Sequence, residues 1–327
     1  MRLVNIDFFK GLLIILVIFG HILQGHLEES IWRTIIYSFH MPLFIGISGF
    51  LLNIDKIVKL NLIGLFDKYK FRIILPWVIA VVVHYAISIF NDRIFDVLSL
   101  VKAFVYPFYH LWFIPAYLSW VGFTWIFGKF KLNTKILFIV AFIISFISSL
   151  LNNFPEIYEG YGPISSILKM ILFTFRPYYY FFFVLGIYFR KTKLEKPKIL
   201  DYLLPSTALV LVIFIFYFPN KSLHILNFFV LNSLLVNLVL KISANNLITN
   251  YPKIEWVGVN SLGIYLWHVI PIMACKLLIG TDSLVFFYIF SVLSELIFLM
   301  VYKLLLKFSF FRKYVFGIWQ INRFVYS

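Results

Sequence analysis

One apolar segment near the N-terminus carries a lysine, a histidine and three other polar residues at helical spacing. On an α-helix with about 100° per residue and Lys10 as the origin, His21 lies at about 20°, Gln24 at about −40°, Glu28 at about 0° and Asp7 at about 60°. These five residues form one polar stripe on an otherwise apolar helix. We expect the stripe to face the interior of the protein.

The lysine and the histidine of this stripe suit different tasks. They are 11 residues apart, which is about 16 Å along a helix. An ammonium group binds phosphate as a point charge, whereas a buried neutral imidazole can take a proton as a general base. The alternative is a lysine at a membrane edge and a histidine that bonds a neighbouring helix. Asp7 is expected to pair with Lys10 at i,i+3.

Two later segments repeat parts of this pattern. Ser261, Tyr265 and His268 share one helical face, with His268 at a depth similar to that of the first histidine. Arg176 and Glu295 each lie inside an apolar segment, where a charge needs a partner or a water-filled cavity. These two residues could pair with each other.

A basic cluster precedes the third apolar segment. Lys68, Lys70 and Arg72 place three cations within five residues, shortly before Pro76. Clustered cations suit a polyphosphate ligand or anionic lipid headgroups.

The composition of the chain indicates what positions these residues. Hydrophobic residues make up 62% of the 327 residues and charged residues only 13%, which is too little charge for the surface of a soluble domain. Apolar runs long enough for a helix to cross a bilayer recur along the chain. We predict an all-α integral membrane protein, a single domain over residues 1–327 with about ten transmembrane helices. The predicted spans are 9–26, 35–52, 73–90, 111–127, 136–151, 168–189, 202–218, 222–240, 257–274 and 284–306.

The distribution of charge predicts the orientation. The net charge of +15 would suggest nucleic acid in a soluble protein. With the N-terminus in the cytoplasm, however, 22 of the 29 Lys and Arg residues fall on the cytoplasmic side and 6 outside. This follows the positive-inside rule and predicts cytoplasmic termini in a multi-pass inner (plasma) membrane protein with no nucleic-acid partner. The single cysteine, Cys275, excludes an intramolecular disulfide and a cysteine-based metal site, and we expect no metal.

These motifs, in their order along the chain, resemble the acyltransferase-3 family of membrane acyltransferases, in its fucose 4-O-acetylase-like branch. The segments that carry the resemblance are 6–11 with 19–21, 39–44 with 48–51, 68–76, 110–113 and 261–268. Together they cover nearly the whole chain. Lys10 stands where arginine is common in the family, which keeps the charge but loses bidentate phosphate binding.

The resemblance implies an O-acetyltransferase that moves an acetyl group from cytoplasmic acetyl-CoA to a hydroxyl of a cell-surface or exported polysaccharide. It implies His21 and His268 as catalytic residues, with His21 acting as general base or as transient acyl carrier. The residues expected to bind the cofactor's phosphates are Lys10, Lys68, Lys70 and Arg72. Those expected to line the cavity or contact substrate are Gln24, Glu28, His40, Ser48, His110, Trp112, Arg176, Ser261, Tyr265 and Glu295.

Two other functions remain open at this stage. A transporter or flippase for a lipid-linked saccharide would use the same residues to line a pathway. A scaffold in a polysaccharide-assembly complex would need them only for folding. Polysaccharide-assembly proteins and a second copy of the chain are the macromolecular partners we expect beside the bilayer, the acyl-CoA and the glycan.

Overall fold

The computed structural model describes residues 4–24, 26–92, 96–108, 110–248, 251–281 and 283–319, apart from the side chains of residues 4, 28 and 90–92. Within these ranges the chain is helical and contains no strand. The α-helices are α1 Val4–Ile22, α2 Ile31–Leu51, α3 Ile54–Val58, α4 Leu62–Tyr69, α5 Leu75–Asp92, α6 Val97–Val105, α7 Phe113–Lys129, α8 Thr134–Asn153, α9 Pro163–Thr174, α10 Tyr180–Arg190, α11 Ile199–Tyr217, α12 Lys221–Ala244, α13 Pro252–Val259, α14 Ser261–Trp267, α15 Val269–Ile279 and α16 Leu284–Leu305.

The predicted all-α membrane class is confirmed. In the described residues, eight segments are long and apolar enough to cross a bilayer: α1, α2, α4 with α5, α8, α11, α12, α14 with α15, and α16. The pair α9 and α10, bent by 45°, makes a ninth if it crosses as one span. Our sequence prediction of about ten spans also included α7, which has 17 residues, the lower end of the crossing range.

Glycines allow some of these helices to approach closely. A Cβ atom added to Gly258 on α13 would overlap the carbonyl oxygen of Asp7 on α1, and one added to Gly49 on α2 would overlap the carbonyl oxygen of Phe183 on α10. Small residues at helix contacts let backbones pack at short range in membranes, where burial from water contributes little. The first of these contacts holds α1 beside the segment that leads into α14.

Two local breaks shape the centre of the bundle. The helix that starts at α14 is interrupted at His268, because Pro271 has no N–H to give to the carbonyl of Trp267 and its ring crowds that turn. A π-helical turn, Lys70–Ile74, joins α4 to α5. Such turns interrupt regular helical bonding and often occur at functional sites.

Candidate active site

Four histidine side chains from separate parts of the chain meet inside the bundle. They are His21 at the end of α1, His84 in α5, His110 in the turn before α7, and His268 at the break between α14 and α15. The ring centroids are 5.2 Å apart for His21 and His268, 6.3 Å for His21 and His110, 5.7 Å for His110 and His268, and 4.7 Å for His84 and His110. We call these four residues the histidine cluster. Among the described residues, no three His, Cys or carboxylate side chains are arranged to hold a metal ion.

Main-chain carbonyls fix the protonated nitrogen of two of these rings. The Nδ1 atom of His84 lies 2.8 Å from the carbonyl oxygen of Ala80, and that of His268 lies 2.8 Å from the carbonyl oxygen of Tyr265. Because a carbonyl oxygen can only accept, each Nδ1 carries the hydrogen and each Nε2 keeps a lone pair. Both Nε2 atoms are buried and have no hydrogen-bond partner within the described chain. Each can therefore accept a proton.

His21 is held by a neighbouring tyrosine. The hydroxyl of Tyr37 on α2 lies 3.5 Å from Nδ1 of His21, and the guanidinium of Arg33 lies 5.3 Å from the centre of the Tyr37 ring. Tyr37 therefore links the cluster to the first turns of α2. The sequence patterns did not single out this tyrosine.

The predicted spans 35–52 and 111–127 place His40 and His110 at their outer ends, where they would be exposed, but both side chains are buried in the structure. Helix α2 begins at Ile31 rather than residue 35, with the Ser30 side chain accepting from the Arg33 amide, so His40 lies in mid-helix. It is buried, its Nδ1 donates to the Ile36 carbonyl over 2.6 Å, and its ring packs on Tyr37. His110 is also buried, as a member of the cluster.

The Tyr265 hydroxyl ties the cluster to the start of α7. It donates to the carbonyl oxygen of His110 and accepts from the amide of Phe113 over 3.2 Å. The ring lies 6.3 Å from the rings of both His110 and His268. Because its hydrogen is given to the His110 carbonyl, this hydroxyl is not available to donate to an oxyanion.

Two adjoining cavities lie beside the basic cluster, and no member of the histidine cluster is among the residues that line them. The first, of about 550 Å³, is the basic cavity, and the second, of about 330 Å³, is the inner cavity. Five residues line both: Lys10, Lys68, Arg72, Ser261 and Leu262. The inner cavity also reaches Ser48, Phe113 and Tyr265. Lys10, Lys68 and Arg72 therefore line both cavities, and Tyr265, which contacts the histidine cluster, lines the inner one.

The predicted pair at the start of α1 is confirmed. The ammonium group of Lys10 lies 3.5 Å from a carboxylate oxygen of Asp7, and both side chains line the basic cavity. Lys70, in contrast, is not among the residues that line either cavity. Its ammonium group lies 5.0 Å from the centre of the Phe71 ring and 5.9 Å from that of Phe66, because a two-residue step from Lys68 turns the side chain to another face of the helix.

The suggested pair of Arg176 and Glu295 does not form. The Arg176 guanidinium lies 4.0 Å from the centre of the Trp112 ring, and its Nε donates to the Phe173 carbonyl over 3.3 Å. Glu295 is buried in α16, and neither carboxylate oxygen has a hydrogen-bond partner in the described part of the chain. Glu295 is also not among the residues that line the two cavities.

The polar stripe is shorter than predicted. Helix α1 ends at Ile22, not at residue 26, and Gly25, a poor helix former, lies just beyond it. Gln24 follows the helix and donates to the Ile22 carbonyl over 3.1 Å. The side chain of Glu28 lies outside the described residues. Only Asp7, Lys10 and His21 therefore share the stripe within the helix.

His84 is the functional candidate that the sequence analysis passed over. The sequence alone favours a structural or interfacial role for His84, but the residue lies well inside α5 and its ring belongs to the cluster. The rule that marked His21, that an ionisable side chain within a span is a functional candidate, applies to it equally. The sequence could not show which residues surround His84. Helical periodicity predicts the face on which a residue lies, but not which helix packs against that face.

The sequence is similar to a known protein family along almost its whole length. The family model described as Acyltransferase domain matches residues 3–319. Over 57 residues, 15% of this chain, the sequence is 47% identical to Nodulation protein NolL of Sinorhizobium fredii (strain NBRC 101917 / NGR234), and it has the same identity over 57 residues to Nodulation protein NolL of Mesorhizobium japonicum. The matched part spans 16% and 15% of these curated relatives. No solved structure matches the chain.

Proposed function

The chain belongs to the Acyltransferase domain (acyltransferase-3) family, and from that premise we propose that it is a membrane-embedded O-acetyltransferase. The donor is acetyl-CoA from the cytoplasm, and the acceptor is a hydroxyl of a cell-surface or exported polysaccharide. The enzyme resides in the inner membrane, where it meets the donor on one side and the glycan on the other.

One observation supports this proposal above the others. Lys10, Lys68 and Arg72 line both cavities, and the inner cavity extends to Tyr265, whose ring lies 6.3 Å from those of His110 and His268. Clustered cations suit the phosphates of a coenzyme A. A long thioester held there by its phosphates can extend along the inner cavity and bring its acyl group toward the imidazoles.

The histidine cluster supplies the proton chemistry of the transfer. His21 takes the proton of the acceptor hydroxyl as its oxygen attacks the thioester carbon. The new C–O bond forms, the C–S bond breaks, and the proton passes to the leaving thiolate to give the free thiol. We favour this general-base route over an acyl-histidine intermediate, because the neighbouring lone pair on Nε2 of His268 can share the proton.

The test is transfer of radiolabel from acetyl-CoA to glycan in isolated membranes. The wild type should label a polysaccharide, and His21→Ala at equal protein level should lower the rate by about 100- to 10,000-fold, the usual contribution of a positioned acid or base. His26→Ala is the matched control, since His26 is an exposed histidine beyond the end of α1. Undiminished labelling by His21→Ala would remove His21 from the chemistry.

The same assay separates enzyme from transporter. A transporter of lipid-linked saccharide transfers no label from acetyl-CoA, so an unlabelled glycan in wild-type membranes would contradict the proposal. Mass spectra of surface glycans from a deletion strain and its parent identify the acceptor, because only the parent should carry the added acetyl mass.

A further inference from the structure

His84 lies within the histidine cluster, although neither its sequence motif nor the reaction steps above give it a task. Its ring centroid is 4.7 Å from that of His110, the shortest of the four separations given above. The residue is 2% exposed and comes from α5, whereas His21 comes from α1. We propose that His84 is a proton-relay residue: it holds, by way of His110, the proton removed from the acceptor hydroxyl until the leaving thiolate takes it. This inference rests on the proposed function.

The surroundings of His84 leave one nitrogen for this task. Its Nδ1 donates to the Ala80 carbonyl, and its ring packs against Trp267, at 6.2 Å with an interplanar angle of 28°, and against Phe108, at 5.9 Å. The remaining nitrogen, Nε2, carries a lone pair and has no hydrogen-bond partner within the described chain. A buried acceptor without a partner is unfavourable, so retaining one beside three other imidazoles indicates that it receives a proton or a bound water during turnover.

A chain of imidazoles also answers an electrostatic requirement of the reaction. Taking a proton from the acceptor hydroxyl leaves a cation on His21, and a single buried cation is costly in an apolar interior. Sharing that proton among His21, His110, His268 and His84 spreads the charge over several rings, because a protonated ring can donate a charge-assisted hydrogen bond to the lone pair of a neighbouring ring. The proton balance is unchanged: one proton leaves the acceptor oxygen, resides on the cluster, and ends on the thiol sulfur.

A purely structural role for His84 makes a different prediction, and one substitution separates the two roles. Asparagine can keep a donor for the Ala80 carbonyl through Nδ2, but it has no ring nitrogen to protonate. If His84 serves only to donate a hydrogen bond to the Ala80 carbonyl, His84→Asn should retain activity. If it relays protons, His84→Asn should fold and still lose rate.

The kinetic experiment compares His84→Asn with wild type in the acetyl-transfer assay. We expect kcat to fall about 100-fold, the KM for acetyl-CoA to stay unchanged, and the solvent deuterium isotope effect on kcat to rise as proton transfer becomes limiting. His224→Asn is the matched control, because His224 is an exposed histidine of α12 away from the cluster and should leave all three values unchanged. Wild-type kcat and isotope effect in His84→Asn would overturn the proposal.

A spectroscopic arm stands apart from the acyl-transfer assay. In protein labelled with 15N-histidine and reconstituted in nanodiscs, the ring-nitrogen shifts should show Nε2 of His84 unprotonated at neutral pH. The Nε2 signal of His84 can be assigned by its loss in His84→Asn or, if that variant does not fold, in His84→Gln. On acidification this nitrogen should become protonated. The pH at which it does so should change in His110→Asn. The relay proposal would be wrong if Nε2 of His84 carried a hydrogen at every pH, or if its titration were the same in His110→Asn as in the wild type. Absence of acetyl transfer by the wild type would instead contradict the proposed function. Failure of the relay proposal and failure of the proposed function are therefore distinguishable.

Discussion

Backbone carbonyls determine which nitrogen is available in three of the buried imidazoles. His40, His84 and His268 all give Nδ1 to carbonyl oxygens three or four residues earlier in the chain. A histidine on a helix can reach a carbonyl three or four residues earlier, and where it does so the tautomer follows from local geometry. The neighbours of Nε2 then decide the role: Tyr37 packs against the His40 ring, whereas the other two rings face the cluster.

Lysines at the basic cavity offer a matched test of donor binding. Lys10→Ala should raise the KM for acetyl-CoA about 10- to 100-fold, since a charged hydrogen bond contributes about 1.5–3 kcal/mol and about 1.4 kcal/mol is tenfold. Lys70→Ala should change it little, because Lys70 lies against Phe66 and Phe71 and lines neither cavity. Donor-concentration curves for both variants make the measurement.

Each lysine variant has an outcome that contradicts its assignment. A selective loss of kcat in Lys10→Ala at saturating donor would place Lys10 in the chemical step. An equal rise of KM in Lys70→Ala would indicate that total positive charge, rather than contact within the cavity, attracts the donor.

At the scale of the elements, the site depends on helices that either break or approach closely. The break at His268 follows from Pro271, four residues after Trp267, and the imidazole at this break belongs to the cluster. The close approach of α2 to α10 depends on Gly49, which faces the main chain of Phe183. Both features follow from the sequence once the partner helix is known.

Gly49→Ala should destabilise the protein by about 1–3 kcal/mol, the usual cost of overpacking, because its Cβ would overlap the Phe183 carbonyl and force α2 away from α10. Gly122→Ala on α7 is the matched control, since a Cβ there meets nothing within 4 Å. Thermal inactivation followed by size-exclusion chromatography in detergent should show a lower midpoint for Gly49→Ala only. Equal midpoints would mean that the bundle relaxes around the added methyl group.

The sequence predicted the helical membrane class, the pairing of Asp7 with Lys10, and the family, all of which are confirmed; the branch within the family stays a prediction. Apolar length and i,i+3 spacing are local properties, so they can be read without a fold. Local patterns could not predict three other features: the residue at which α1 ends, the position of His40 in the middle of α2, and the place of His84 in the histidine cluster. They depend on capping residues and on contacts between helices distant in the chain.

At the scale of the whole molecule, the cations of the basic cavity can be compared with the distribution of all Lys and Arg residues between the two sides of the membrane. Lys10, Lys68 and Arg72 converge on the basic cavity, while 22 of the 29 Lys and Arg residues fall on the side predicted to be cytoplasmic. A donor that carries phosphates needs its binding cations on the side from which it arrives. The proposed function and the predicted orientation therefore stand or fall together.

Cysteine labelling tests that orientation directly. Cys275, the single cysteine, is buried, so Cys275→Ala provides the background, and Lys193→Cys and Ser283→Cys add one exposed thiol each. We expect a membrane-impermeant maleimide on intact spheroplasts to label Ser283→Cys, in the connection between α15 and α16, and to label Lys193→Cys, in the connection between α10 and α11, only after permeabilisation. The Cys275→Ala background controls for labelling elsewhere. The opposite pattern would place the basic cavity on the outer side, where cytoplasmic acetyl-CoA cannot reach it, and the donor would have to be another acyl carrier.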